Sequence, residues 1–96
     1  MAAYVIADIG TIHDQDAYAE YRKQVPATIA KYGGRFVVRG GAHESLEGTW
    51  RPGRVVLIEF PDLAKAKAWY GSPEYGPLIK LRQKASKGSV IVVEGL

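Results

Sequence analysis

The segment that decides the fold is residues 31–41, Lys-Tyr-Gly-Gly-Arg-Phe-Val-Val-Arg-Gly-Gly, which predicts the end of a helix, then a strand, then the start of a loop. Gly33 and Gly34 are typical of a helix C-terminus in the left-handed conformation, which glycine adopts without a Cβ penalty. Residues 35–39 then alternate charge with apolar bulk, as a strand does. The pattern indicates a strand and a helix before this segment, and a strand, a helix and a strand after it.

The N-terminal third predicts a buried strand followed by an amphipathic helix. Apart from Asp8, residues 4–9 are apolar and rich in β-branched side chains, and Asp14 is the expected N-cap of a helix from about Gln15 to Tyr32. Pro26 predicts a kink or a break in that helix, because proline has no N–H to donate to the carbonyl of Arg22. The buried stripe of the helix is expected to comprise Tyr18, Tyr21, Val25, Ile29 and Tyr32.

The C-terminal half predicts a long loop over residues 42–53, a strand over 54–60 and a helix capped by Asp62. Gly71, Ser72 and Pro73 interrupt this helix, and a second piece is expected from Pro73 to about Ala85. Residues 89–94 form the last predicted strand. The order is βαββαβ, which predicts one α+β domain over residues 1–96, a ferredoxin-like, antiparallel-type sheet of four strands with helices on one face.

The expected topology places the first and third strands side by side in the middle and parallel, with the second and fourth strands antiparallel at the edges. Asp8 and Glu59 are then predicted to share one end of the sheet, with Arg35 opposite Glu59 and Arg39 at the other end. Strict alternation puts these four side chains and Glu94 on one face. The opposite face is expected to be apolar.

Composition excludes several classes of protein. The 96 residues carry a net charge of +3 without a long basic run, and they include no cysteine, so we expect no nucleic-acid partner, disulfide or thiol chemistry. No metal-binding spacing, phosphate loop, dinucleotide fingerprint or serine-nucleophile elbow occurs, and we expect neither a metal nor another cofactor. The N-terminus lacks a signal segment and no membrane partner is indicated, which makes the cytoplasm the expected location.

Several short motifs resemble the domain of unknown function 1330 family, within the dimeric α+β barrel superfamily. They run in order along nearly the whole chain: Tyr32-Gly33-Gly34-Arg35-Phe36, Arg39-Gly40-Gly41, Glu59-Phe60-Pro61, Ala68-Trp69-Tyr70, Ser72-Pro73-Glu74-Tyr75, Arg82 and Glu94-Gly95. The resemblance implies a ferredoxin-like protomer that forms a homodimer through its sheet faces. The family has no agreed activity, although its superfamily includes cofactor-independent monooxygenases, isomerases and haem-dependent members that often bind ligands between sheet and helices. Fold alone does not transfer any of these reactions to this chain.

The charged sheet face has two interpretations. In the first interpretation, Arg35 forms structural ion pairs with Glu59 and Asp8 that fix the strand register or a subunit interface. In the second, an arginine beside two carboxylates binds an acidic substrate, and one carboxyl with a raised pKa acts as a general base.

The aromatic residues and the histidines also have two interpretations each. Tyr18, Tyr21, Trp69, Tyr70 and Tyr75 form a helix–sheet core, or they also line a ligand cavity. His13 follows the first strand, where it is either a solvated turn residue or a group that titrates near neutrality. His43, in the long loop, is a weaker candidate.

These patterns predict a homodimer that binds a small anionic or aromatic organic molecule between sheet and helices. The expected ligand contacts are Arg35, Arg39 and Arg82, with Tyr18, Trp69, Tyr70 and Tyr75 as walls. His13 or Glu59 would accept a proton if the protein is a cofactor-independent enzyme, which the sequence does not decide. The alternative is a non-catalytic dimeric interaction module whose charged sheet face is the subunit interface.

Overall fold

The computed structural model describes all 96 residues, and they fold in the predicted order with the second helix divided in two. The sheet has the strand order β2-β3-β1-β4, and the helices cover one of its faces. The elements are β1 (Ala3–Ile12), α1 (Gln15–Lys31), β2 (Arg35–Arg39), β3 (Arg54–Phe60), α2 (Leu63–Tyr70), α3 (Gly76–Ala85) and β4 (Ser86–Glu94).

The two middle strands are antiparallel, so the prediction that they are parallel is wrong. The connection through α1 makes β1 and β2 run in the same direction. Strand β3 lies between them and is antiparallel to both. Tyr4 therefore lies opposite Glu59, whereas Asp8 lies opposite Val55. Asp8 and Glu59 consequently lie at opposite ends of the sheet, and the predicted three-residue group of these carboxylates with Arg35 does not form.

The helix ends follow from the sequence. The Asp14 carboxylate accepts from the N–H of Ala17 at 3.0 Å and the Asp62 carboxylate accepts from that of Lys65 at 2.8 Å, as N-caps do. Gly33 has a φ of +78°, and its N–H and that of Gly34 donate to carbonyls of the last turn of α1, both at 3.0 Å. This is the Schellman arrangement, which needs the left-handed conformation at Gly33 and not at Gly34.

Helix α1 runs through Pro26 as one element, so the predicted break does not occur. Proline leaves the carbonyl of Arg22 without its helical donor. That carbonyl instead accepts a hydrogen bond from Nη2 of Arg39, on β2, at 2.7 Å. The missing helical bond is thus replaced by one that joins α1 to the edge of the sheet.

A bulge in β2 reverses the predicted orientation of Arg39. Arg35 and Phe36 lie opposite Glu59 and Ile58, but the register then shifts by one residue and brings Arg39 opposite Val56, on the helix side. Because side chains alternate with a period of two, one extra residue moves every later side chain to the other face. Arg35 and Arg39 therefore lie on opposite faces of the sheet, not on the same face as predicted.

The last strand also presents its faces differently from the prediction. Glu94 pairs with Ala3 and Val92 with Val5, on the helix side, whereas Ile91 and Val93 lie on the open face. A continuous aliphatic row crosses the open face through all four strands, since the paired positions are Ile91, Ile6, Leu57 and Val38. Ile91 is 58% exposed and Val93 is 44% exposed in the single chain, so no part of this chain covers the row.

We expect Gly34→Ala to destabilise the protein by roughly 1–3 kcal/mol, as overpacking does in other cores. A Cβ at residue 34 would lie 2.6 Å from the Phe60 ring and 2.8 Å from the Ile29 side chain. Urea unfolding gives the free energy directly. Gly41→Ala is the control, because a Cβ there meets only Val38 at 4.0 Å; equal losses in the two variants would contradict the packing argument.

Candidate functional site

A small cavity lies between the sheet and the helices. Its volume is about 40 Å³, which at roughly 10–15 Å³ per enclosed water leaves space for about three waters. The floor comes from the helix-facing residues of the sheet, and the walls come from α1, α2, α3 and the turn before α3. The apolar and aromatic lining residues are Val5, Ala7, Ile9, Tyr18, Tyr21, Val25, Phe36, Val56, Ile58, Trp69, Tyr75 and Val90.

All the charged side chains that line this cavity are cationic. They are Arg22, Arg39, Arg54 and Arg82, and no aspartate, glutamate or histidine accompanies them. The only salt bridges in the chain join Lys31 to Glu74 and Arg35 to Glu59, so none of the four lining arginines has an acidic partner. The cavity therefore has a mostly apolar lining, and all of its charged groups are positive.

Arg82 is the deepest of the four arginines. It is only 6% exposed, and its Nε is buried without a hydrogen-bond partner. Burial by itself would lower the pKa of Arg82, but the neighbouring phenols of Tyr75 and Tyr21 outweigh burial, and the net effect raises that pKa. The guanidinium consequently stays charged. Removing a cation from water without supplying an anion costs roughly several kcal/mol of folding free energy. Arg82 is therefore the feature of the cavity that most needs an explanation.

Two buried tyrosines lie beside Arg82. The hydroxyls of Tyr21 and Tyr75 are 2.7 Å apart and share a hydrogen bond. Burial is the largest cause that raises the pKa of each phenol, and for Tyr75 the hydrogen bond from Tyr21 and the charge of Arg82 oppose it in part. Both phenols therefore remain neutral at ordinary pH, and after one donates to the other a single O–H proton is left for a ligand.

Arg54 forms the side of the cavity nearest the long loop. Its guanidinium lies 6.0 Å from the Tyr18 ring centre, and its Nε is also buried without a partner. Gly40 makes room for this group, because a Cβ at residue 40 would collide with the guanidinium. Gly40 also has a φ of +72°, a conformation that side chains disfavour. The glycine predicted to open the loop is thus also a neighbour of the cavity.

Arg39 and Arg22 lie at the solvent-exposed mouth. The Arg39 guanidinium lies over the Phe36 ring, 4.4 Å from its centre, and Nη2 donates to the Arg22 carbonyl. Cation–π contact and a hydrogen bond together restrict the orientation of a guanidinium. Its remaining N–H groups make no hydrogen bond to another residue of the chain.

The structure brings five of the predicted site residues together around the cavity: Tyr18, Arg39, Trp69, Tyr75 and Arg82. Four others lie elsewhere. Tyr70 is 39% exposed and borders a separate groove of about 350 Å³ between α2 and β4. Arg35 and Glu59 lie on the open face, where Arg35 Nε donates to Glu59 at 2.8 Å and the Tyr4 hydroxyl donates to Glu59 at 3.1 Å.

The two histidines and Asp8 are also outside the cavity. Nε2 of His13 is 2.7 Å from the Lys84 carbonyl on the surface, so the ring nitrogen donates to that oxygen. His43 lies 2.9 Å from the Pro52 carbonyl within the long loop. Asp8 accepts from the Trp50 indole at 2.8 Å and from the Gly53 N–H at 2.9 Å, which attaches that loop to the sheet. The proton-acceptor role predicted for His13 or Glu59 stays a prediction, and it would act outside the arginine-lined cavity.

Sequence reasoning missed Arg22 and Arg54, although both positions carried a signal. Arg54 has the same parity as Val56 and Ile58 in β3, which places it on the helix-facing side. Arg22 follows Tyr18 by four residues and precedes Val25 by three, which places it along the buried stripe of α1. The prediction did not include Arg22 and Arg54 in the lining because both side chains are charged.

No three or more His, Cys, Asp or Glu side chains lie close enough together to hold a metal ion. No helix has both the length and the apolar composition needed to cross a membrane.

The family model for a domain of unknown function, DUF1330, matches residues 2–96. This chain belongs to the DUF1330 family. The match spans almost the whole chain and confirms the resemblance drawn from the short motifs. No curated protein matches the sequence of this DUF1330 protein.

Solved structures similar to this DUF1330 protein share its fold at low sequence identity. A protein of unknown function from Rhodopseudomonas palustris is 20% identical with a TM-score of 0.76, over 99% of this chain and 82% of that one. A dimeric ferredoxin-like protein of unknown function from Jannaschia sp. CCS1 is 14% identical with a TM-score of 0.66, over 100% and 99%. SnoaB, a cofactor-independent oxygenase from Streptomyces nogalater, is 12% identical with a TM-score of 0.62, over 99% and 92%. These matches confirm the predicted ferredoxin-like fold.

Glu74 connects the turn before α3 to the C-terminal end of α1, on the outer side of the cavity wall. This carboxylate forms an ion pair with Lys31, at the end of α1, and accepts from the Tyr32 hydroxyl at 3.0 Å. The hydrogen bond from Lys31 is the largest cause that lowers the pKa of Glu74, to about 2 from an ordinary 4.5. The bridge links α1 to the turn that carries Tyr75.

We expect the stability of this DUF1330 protein to fall as the pH decreases from about 4.5 to about 2, the interval between the ordinary and folded pKa values of Glu74. A carboxyl with a depressed folded pKa stabilises the fold above its unfolded pKa and loses that contribution on protonation. Thermal melts at a series of pH values compare wild type with Glu74→Gln. The variant should melt lower at neutral pH and approach wild type at pH 2; a constant difference across the interval would contradict this assignment.

Proposed function

We propose that this protein binds a small organic anion with an apolar or aromatic body in the cavity between sheet and helices, and that it works as a homodimer. The observation that carries the ligand proposal is the buried guanidinium of Arg82, whose Nε has no hydrogen-bond partner and which lies in a cavity that contains no acidic side chain. A bound anion would supply the missing charge. Arginine suits this task because its planar N–H groups match the two oxygens of a carboxylate.

The cavity limits the size of the ligand. A volume of about 40 Å³ is well below the roughly 150 Å³ of an enclosed cavity that binds benzene. A short aliphatic anion would fit inside, a ligand with a single ring would extend from the cavity into its open mouth, and a polycyclic molecule is disfavoured. The apolar walls suit the body of such a ligand, while the arginines and the tyrosine hydroxyl pair suit its oxygens. Trp69 and Tyr75 are stacked with ring centres 4.0 Å apart, which supports a flat, rigid wall beside the ligand.

Binding is favoured over a reaction by the composition of the lining. No carboxylate or histidine is among the lining residues, so the cavity has cations and neutral phenols but no conventional general base. Cofactor-independent catalysis is a second candidate, which the fold of SnoaB suggests by analogy alone. In that case the arginines would stabilise an anionic intermediate formed from the substrate. This candidate is the weaker one, because the predicted proton acceptors His13 and Glu59 both lie outside the cavity.

The homodimer proposal rests on the open face of the sheet. The aliphatic row through Ile6, Leu57 and Ile91 is uncovered in the single chain, and an apolar patch of this kind is typical of a subunit interface. Solved structures with this fold from two organisms are described as dimeric. The Arg35–Glu59 pair lies beside the row and would fix the relative orientation of the two sheets.

We expect benzoate to stabilise the wild-type protein in thermal-shift measurements, and phenol to have a much smaller effect because it lacks the negative charge. Saturation at a hundred times the dissociation constant corresponds to about 2.7 kcal/mol of stabilisation. Short aliphatic carboxylates and inorganic phosphate complete the panel and distinguish the shape of the anion. No stabilisation by any of these anions would refute the ligand proposal.

We expect Arg82→Met to weaken benzoate binding at least tenfold while the ligand-free protein becomes as stable as wild type or more stable by up to about 3 kcal/mol, because a desolvated, unpaired charge is removed. Calorimetric titration measures the affinity and urea unfolding measures the stability. Arg82→Lys is the control that keeps the charge but loses the planar donors. Unchanged affinity in Arg82→Met would show that the cation serves another purpose.

We expect Ile91→Lys to convert the dimer to a folded monomer, because it puts a charge at the exposed β4 end of the aliphatic row. Sedimentation velocity at micromolar concentration measures the mass. Ala64→Lys adds the same charge at an exposed position of α2 and should remain dimeric. A wild-type protein that sediments as a folded monomer under these conditions would overturn the homodimer proposal without affecting the ligand proposal.

A further inference from the structure

Pro26 is the least favourable residue for the interior of a helix, yet it lies inside the second half of α1. Its immediate structural effect is to leave the carbonyl of Arg22 without an intrahelical donor. The hydrogen bond from Arg39 Nη2 to this oxygen, at 2.7 Å, takes the place of the missing one. The proline therefore creates an acceptor at the mouth of the cavity that an ordinary helix residue would not provide.

The orientation of Arg39 depends on three local features. The bulge in β2 turns its side chain to the helix side, the Phe36 ring supports its guanidinium from one face at 4.4 Å, and the Arg22 carbonyl holds Nη2. No carboxylate pairs with this guanidinium. Of the five N–H donors of an arginine, those that the carbonyl does not use are free to bind a ligand at the mouth.

We propose that Pro26 is a positioning residue for anion binding, because the carbonyl that it frees holds the Arg39 guanidinium in the orientation that meets the anion. The inference rests on the proposed ligand function of the same cavity. It assigns to Pro26 a role that neither its apolar side chain nor its place in the helix requires. A group that is fixed before the ligand arrives loses less freedom on binding, and affinity increases accordingly.

If Pro26 positions Arg39, replacing it should raise the stability of the protein and lower its affinity for the anion. Pro26→Ala restores an N–H that can donate to the Arg22 carbonyl, so the helix becomes more stable. The new donor competes with Arg39 Nη2 for that oxygen, and the contact that holds Arg39 is weakened. A proline that served the fold alone would give a less stable protein or leave the affinity unchanged. The two measurements together therefore distinguish positioning from a structural role.

The experiment titrates benzoate calorimetrically into the full-length wild type, Pro26→Ala, Arg39→Ala and the double variant, with thermal melts of each. We expect Pro26→Ala to melt higher than wild type and to bind benzoate about three- to tenfold more weakly. In the Arg39→Ala background the proline substitution should have no further effect on affinity, as expected of two residues that act through one contact. Wild-type affinity in Pro26→Ala, or additive losses in the double variant, would overturn the inference.

A second measurement tests positioning without a ligand. The Nε–H signal of Arg39 in ¹⁵N NMR spectra should be sharp and resolved in the wild type and should move toward the signals of free arginines in Pro26→Ala. Identical signals in the two proteins would overturn the inference even if benzoate binds. Absence of benzoate binding to the wild type, together with the expected NMR change, would instead count against the ligand proposal while supporting the fixed orientation of Arg39.

Discussion

The arrangement of the helices depends on the contacts of the buried Trp69 indole. Its Nε1–H must find an acceptor once it is 1% exposed, and the Thr28 hydroxyl on α1 accepts it at 3.0 Å. The ring system packs on Phe60 of β3 in a tilted arrangement, with ring centres 5.3 Å apart, and it stacks on Tyr75. Trp69, which lies on α2, thereby joins the sheet, α1 and the turn before α3.

That contact also fixes the polar groups of the cavity. Tyr75 is held by stacking on Trp69 and its backbone N–H donates to the Ser72 hydroxyl at 3.1 Å, so its own hydroxyl can reach only Tyr21 and the region of Arg82. The aromatic core and the proposed ligand cavity are consequently one structure. The two interpretations of the aromatic residues drawn from the sequence, core and cavity lining, are compatible.

Sequence patterns predicted the elements well where one residue determines a local geometry. Asp14 and Asp62 capped their helices and Gly33 ended α1, because each acts on backbone atoms within a few residues. The faces of β2 and β4 were predicted less well. A single extra residue in the β2 ladder reversed Arg39, and nothing in an apolar run such as residues 36–38 marks which residue is the extra one. Pairing with the neighbouring strand determines it.

The corrected faces separate two groups of charged residues that the sequence analysis had assigned to one surface. The acids Asp8 and Glu59 lie on the open face with the aliphatic row, and the unpaired arginines lie on the helix side with the cavity. An interface on the open face would bury the Arg35–Glu59 pair and leave the mouth at Arg39 accessible, so the proposed assembly and the proposed ligand binding would not compete for residues. Interaction module and ligand-binding protein are therefore not exclusive descriptions of this fold. The bulge in β2 is the feature that makes both possible, because it gives each face its own arginine.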